Sequence, residues 1–284
     1  MFFKKLNATF LIIILKLAFN FLKNIIALLN LTIEFNCDSI CLIVLKGEKK
    51  MKPIIGVIEW PYLDKDGDYI YEIPTQIVEW IIRSGGRPLG IFPSNIEQFY
   101  DKKLTEIPPL TEIEHKDLVE SVSLCDAIIK PGGNKTYNHE RQIYEYCYKN
   151  NIPYLGICAG MQMMAAYGSE KMTNVKNDSN INHRSDDLYA HKILIQELTL
   201  LKKILKKDEI FVNSRHNYHI SNSGIQNVSA RAEDGVIEAI ESPTCDFHLG
   251  VQWHPESLPK DDENSQIIFG ELVEHAKHYQ KIKK

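Results

Sequence analysis

The sequence predicts an α/β protein built on a mainly parallel sheet. Three observations carry that prediction: short apolar runs closed by turn residues, helical spacing between those runs, and a cysteine flanked by glycines where one run gives way to a helix. Ile54–Ile58 reads as the first buried strand. Ile73, Ile77, Trp80 and Ile81 follow at helical spacing, and Ser84-Gly85-Gly86 stops that helix. Residues 87–92 form the next apolar strand, closed by Pro93-Ser94-Asn95. A strand, a helix and a second apolar strand make a βαβ unit, which requires parallel pairing.

Residues 95–114, with Pro108-Pro109, carry no clear pattern. Residues 115–124 are expected to be a helix leading into a third core strand at 126–130, which ends in Pro131-Gly132-Gly133. A helix over 139–149 covers the sheet and returns the chain to a strand at 153–157. Ala159 opens a helix to 167, because Ala, Met and Gln favour helix and none is β-branched. Residues 168–187 are rich in Asn, Ser and Asp and read as an exposed loop. Short strands are then expected at 192–195, 209–213, 227–231, 236–240 and 247–252, with Asp234-Gly235 as a hairpin turn. A short Lys-rich helix at 198–207 and an amphipathic helix at 264–281 complete the pattern.

A chain of 284 residues can hold one large α/β domain or two small ones. Its net charge of -4 leaves no electrostatic footprint for nucleic acid. Six cysteines lack the spacing of a disulfide framework or a zinc site, so no metal and no cofactor are expected, and reduced thiols point to the cytoplasm. Residues 1–50 differ: residues 6–22 are mostly Leu, Ile, Phe and Ala, behind Lys4-Lys5 and broken by Lys16. They are read as a hydrophobic extension outside a catalytic domain at 51–284, with Met51 as the working start. A membrane anchor is the alternative, and membrane contact is expected only through this segment.

The chemistry centres on Cys158. A nucleophile at a strand-to-helix turn is lifted out of the sheet, and a helix N-terminus favours thiolate over thiol. A thiol nucleophile needs a base, and the base needs a partner that fixes its tautomer. Near the C-terminus, His254 and Glu256 stand two residues apart at a strand exit, so that on extended backbone their side chains point the same way. His183, His191 and His219 read as surface or structural histidines.

Together, Gly156-Ile157-Cys158-Ala159-Gly160-Met161-Gln162, Pro131-Gly132-Gly133 and Gln252-Trp253-His254-Pro255-Glu256 resemble the class I glutamine amidotransferase superfamily. Val212-Asn213-Ser214-Arg215-His216, with residues 232–239, resembles its γ-glutamyl hydrolase branch, the peptidase C26 group. The resemblance implies a flavodoxin-like three-layer α/β/α fold with a mainly parallel central sheet and a small C-terminal β region. It implies a catalytic triad of Cys158, His254 and Glu256, and an oxyanion hole from the N–H groups of Gly133 and Ala159. Substrate contacts are implied for Gly132, Gln162, Ser214, Arg215 and His216.

The implied reaction is cleavage of a γ-amide in a small γ-glutamyl compound through a cysteinyl thioester. Two alternatives stand beside it: a glutaminase subunit feeding ammonia to a separate synthetase, and a non-catalytic regulatory relative. A homodimer or a synthetase is the partner expected. The branch resembles Gly-Gly-x-Asp-x-x-Pro after the oxyanion strand, whereas this chain has Gly132-Gly133-Asn134-Lys135-Thr136-Tyr137. Ala159 also stands where the branch often has Arg. The leaving amine is therefore left open.

Overall fold

The computed structural model describes residues 51–93, 110–133, 138–167, 174–176 and 181–283. The readings of residues 1–50, and of most of 95–114, lie outside the described residues. Apart from Met51, the described residues belong to one unit, Lys52–Lys284.

Strand β1 (Ile54–Ile58) is followed by a hairpin of β2 (Trp60–Leu63) and β3 (Tyr69–Glu72), which the sequence reading did not anticipate. Helix α1 (Thr75–Arg83) buries Ile77, Trp80 and Ile81, and Gly85 takes a φ of 90° as the chain turns into β4 (Arg87–Ile91). That left-handed conformation is what a glycine at a helix stop supplies. Helix α2 (Glu112–Ser123) starts three residues earlier than its apolar pattern suggests, because Thr111 and Glu114 form a reciprocal capping box. Then come β5 (Ala127–Lys130), α3 (Asn138–Lys149), β6 (Tyr154–Ile157) and α4 (Ala159–Ala166).

The second half adds β7 (Asn174–Lys176), β8 (His191–Ile195), α5 (Leu200–Leu205), β9 (Glu209–Val212), β10 (Tyr218–Ile220), β11 (Asn227–Ala232), β12 (Ile237–Glu241) and β13 (His248–Val251). Helix α6 (Glu263–Ile282) closes the fold, with Asp262 accepting from the Ser265 N–H as its cap.

One nine-stranded sheet runs β4-β1-β5-β6-β13-β12-β11-β8-β9. Pairing is parallel from β4 to β13 and antiparallel from β13 to β9. The C-terminal β region joins the main sheet, because β13 docks beside β6 (Val251 opposite Ile157). Helices cover both faces. Ile77 and Trp80 of α1, Leu201 of α5 and Phe269 of α6 pack on one side. Leu118 of α2, Tyr144 of α3 and Met161 and Met164 of α4 pack on the other. The fold is the flavodoxin-like three-layer α/β/α arrangement. Among the described residues, no helix is long and apolar enough to cross a membrane.

Candidate active site

Strands β5, β6 and β13 are neighbours in the sheet and run in the same direction, so their C-terminal ends open onto one place. Such an edge is where open α/β sheets collect their ligands. The first strand delivers Pro131-Gly132-Gly133, the second Cys158, the third Gln252 and His254.

Cys158 is the N-cap of α4 and has φ 50° and ψ -103°. A side-chain-bearing residue adopts that conformation only where its surroundings impose it. Here the Cys158 N–H donates to the Val251 carbonyl at 2.7 Å, while the Cys158 carbonyl accepts the first helical bond from the Gln162 N–H at 3.1 Å. The sharp turn also demands close approach of α4 to β5: a Cβ on Gly160 would lie 2.4 Å from the Lys130 carbonyl oxygen. Lys130 itself is buried; its Nζ pairs with Glu140 at 3.0 Å and donates to the Pro131 carbonyl at 3.2 Å, tying the start of the glycine loop to α3.

His254 Nδ1 lies 2.7 Å from Glu256 Oε1. Burial disfavours the charged ring, but the Glu256 carboxylate and hydrogen bonds to Cys158 and Glu256 outweigh it and push the His254 pKa up to about 10. The ring is thus an imidazolium at neutral pH. The turn carrying it is clamped at every residue. Asn213 Nδ2–H donates to the His254 carbonyl at 2.7 Å, and Asn213 Oδ1 accepts from the His254 N–H at 2.8 Å. Trp80 Nε1–H donates to the Glu256 carbonyl at 3.2 Å, and the Ser265 hydroxyl donates to that of Pro255 at 3.0 Å. Trp80 is stacked on Phe269 at 5.3 Å between ring centroids, so this clamp is anchored in the core.

The Gln252 amide Nε2–H donates to Cys158 Sγ at 3.5 Å, and its Oε1 accepts from Gln162 Nε2–H at 3.3 Å. Gln162 also donates to the Tyr218 carbonyl at 3.0 Å, so both amides are held in fixed orientations, with that of Gln252 against the sulfur. Gly132 lies against the His254 ring: a Cβ there would fall 2.7 Å from Cε1 and 3.4 Å from Cys158 Cβ. Gly133 ends the described part of that loop, and Ala159 is the first residue of α4.

The structure thus brings together Gly132, Cys158, Gln162, His254 and Glu256. Ser214 and His216 turn elsewhere. The Ser214 hydroxyl donates to the His183 carbonyl at 2.8 Å, and His216 Nε2 faces Glu238 at 3.5 Å. Arg215 remains exposed, with Nη1 3.4 Å from the Ser257 hydroxyl. The described cysteines are all free thiols. Burial pushes the Cys125 thiol up to about 12 and the Cys147 thiol well above its ordinary range, so neither is a ready thiolate at neutral pH.

Asn213 and Gln252 lay inside motifs visible in the sequence, yet neither was assigned a role. Their signal was the motif itself; the roles emerge only once β9 and β13 are placed. His183, read as a surface or structural histidine within a polar loop, is buried, and its carbonyl accepts from the His216 N–H at 2.9 Å.

This fold and this site define the class I glutamine amidotransferase superfamily. Residues 53–256 match Peptidase C26, and the chain belongs to that family. It is 27% identical over 205 residues to a CTP synthase of Staphylococcus saprophyticus, covering 61% of this chain and 38% of that protein. A glutamine amidotransferase-like protein of Rickettsia prowazekii is 28% identical over 302 residues, covering 81% of this chain and 99% of the relative. The fold is shared with the glutaminase domain of Trypanosoma brucei CTPS with bound acivicin (TM-score 0.56, 19% identity, 78% of this chain and 94% of that one). The chain spans well under half the length of the CTP synthases it matches.

Proposed function

We propose that the chain hydrolyses the γ-amide of small γ-glutamyl compounds through a thioester on Cys158. The observation that carries this reading is the Cys158 elbow beside His254, whose Nδ1 lies 2.7 Å from Glu256 Oε1. The Cys158 thiolate attacks the γ-carbonyl, and the carbonyl electrons move onto oxygen. The N–H groups of Gly133 and Ala159 hold that oxyanion; the second lies in the first turn of α4, where N–H groups have no helical partner. Imidazolium His254 gives its proton to the leaving amine as the C–N bond breaks. Neutral His254 then takes a proton from water, hydroxide adds to the thioester, and glutamate leaves as the C–S bond breaks.

Gln162, which holds Gln252 against the sulfur, is assigned to the bound glutamyl group, and Gly132 leaves room for that group. With Ser214 and His216 engaged elsewhere, Arg215 is the member of that segment available to meet the substrate α-carboxylate. Ser214 and His216 serve the pocket by fixing the backbone on either side of it. The catalytic unit we assign is residues 51–284, working in the cytoplasm, where Cys158 stays reduced.

A second reading rests on the CTP synthase relatives: a glutaminase that passes ammonia to a synthetase partner. The full chain, offered γ-glutamyl amines and free glutamine with and without candidate synthetases, separates the two. Glutamate release from γ-glutamyl amines by the chain alone is expected. Activity on glutamine only in the presence of a partner selects the second reading, and no release under any condition refutes both.

A further inference from the structure

Away from Cys158, four buried side chains converge. His183, His191, His216 and Glu238 each offer one ligand atom, and these atoms lie within 4.8 Å of one another. Glu238 Oε1 is the hub, at 3.2 Å from His183 Nδ1, 3.5 Å from His216 Nε2 and 3.6 Å from His191 Nε2. A tetrahedral zinc ion with bonds of about 2.0–2.2 Å sets its ligand atoms roughly 3.3–3.5 Å apart. The three distances from the histidines to Glu238 are close to a tetrahedron's edges.

The far side of each ring repeats a second pattern. His183 Nε2 meets Asp234 Oδ2 at 2.8 Å, His216 Nδ1 meets the Tyr218 carbonyl at 3.1 Å, and His191 Nδ1 meets the Lys192 carbonyl at 3.4 Å. Metal-ligating histidines characteristically donate their outer N–H to a carboxylate or a backbone carbonyl, which turns the other nitrogen's lone pair inward. Without an ion, the Glu238 carboxylate accepts from the inward nitrogens of His183 and His216; with one, the same nitrogens and the carboxylate become its ligands. Inside the cluster, His191 Nε2 and Glu238 Oε2 are buried without a hydrogen-bond partner among the described residues.

We propose that His183, His191, His216 and Glu238 form a structural site for a zinc-class divalent ion, with Asp234 orienting His183. Imidazole and carboxylate ligands suit zinc, and burial of all four residues marks a closed site rather than a catalytic one with an open position. The ligands come from the 181–185 loop, β8, the segment after β9, and β12, so the ion ties together four pieces of the antiparallel half of the sheet. His216 lies three residues from Asn213, the residue that clamps His254. Metal binding therefore steadies the frame of the catalytic turn while remaining outside the reaction.

The test is metal content of the full chain after incubation with micromolar zinc and removal of the free ion. About one zinc per chain is expected, falling about tenfold or more in Glu238→Gln and in His191→Ala but not in Cys158→Ala. Zinc below about a tenth of an equivalent in the wild type, or unchanged content in both cluster variants, overturns the site. If those variants do not fold, cobalt loaded into the wild-type chain decides. A tetrahedral spectrum without thiolate-to-cobalt charge transfer supports the histidine cluster, while a thiolate band places the metal on a cysteine and contradicts it.

Discussion

Asn213 holds His254 by both ends of its peptide backbone, at 2.7 Å and 2.8 Å, across 41 residues of sequence. The pair fixes the height and rotation of the turn carrying His254 relative to Cys158 without touching the imidazole. Because misplacement of a base by about 1 Å costs on the order of 100-fold in rate, Asn213→Ala is expected to lower kcat about 10- to 100-fold with little change in KM. Steady-state kinetics check this. A rise in KM at constant kcat would mean that Asn213 shapes the substrate pocket instead.

Gly132 makes a second steric prediction. A methyl group there would sit 2.7 Å from His254 Cε1, so Gly132→Ala must push the ring away from the sulfur. Activity is expected to fall by about 100-fold or more while thermal stability changes by about 1–3 kcal/mol, the usual range for overpacking. Parallel measurement of turnover and unfolding separates the two effects.

Much of this was legible in the sequence, and the exceptions have physical reasons. The central strands β1, β5 and β6 are short apolar runs buried on both faces, so periodicity finds them. Cys158 between glycines and His254-x-Glu256 are local patterns whose chemistry follows from spacing. The β2–β3 hairpin and β10 carry no comparable apolar run. The docking of β13 beside β6 is a long-range event, so the sequence alone showed the small C-terminal β region but not the strand it joins. The roles of Asn213 and Gln252, and the gathering of His183, His191, His216 and Glu238, likewise exist only after distant strands pair.

The His254–Glu256 contact governs pH dependence. In the proposed mechanism protonated His254 is the acid that releases the amine, and its pKa, pushed up to about 10, keeps it protonated until the pH rises through that value. The alkaline limb of kcat/KM is expected there. Glu256→Gln removes the charge that opposes burial, so the limb should move down toward the ordinary histidine range near about 6.5, and kcat should fall by about 100-fold or more. A pH–rate profile whose alkaline limb is unchanged by the substitution would contradict this role for Glu256.

His248 predicts acid sensitivity. It is buried beside the rings of Tyr144, Tyr148 and Tyr154, and burial pushes its pKa down to about 4. The unfolded chain binds a proton near about pH 6.5 that the native ring refuses. Its contribution is therefore intact above that pH and lost as pH falls from about 6.5 toward 4, by roughly 3 kcal/mol at the limit. Denaturation of His248→Phe across this window should show a shallower loss than the wild type; an identical slope would assign the acid sensitivity to other groups.

The most direct test of the central claim is to quench the full chain in acid during turnover of a γ-glutamyl amine and map adducts by mass spectrometry. The account predicts a glutamyl thioester on Cys158, and neither adduct nor turnover in Cys158→Ala. Normal glutamate release by Cys158→Ala, or an adduct on another residue, would contradict it.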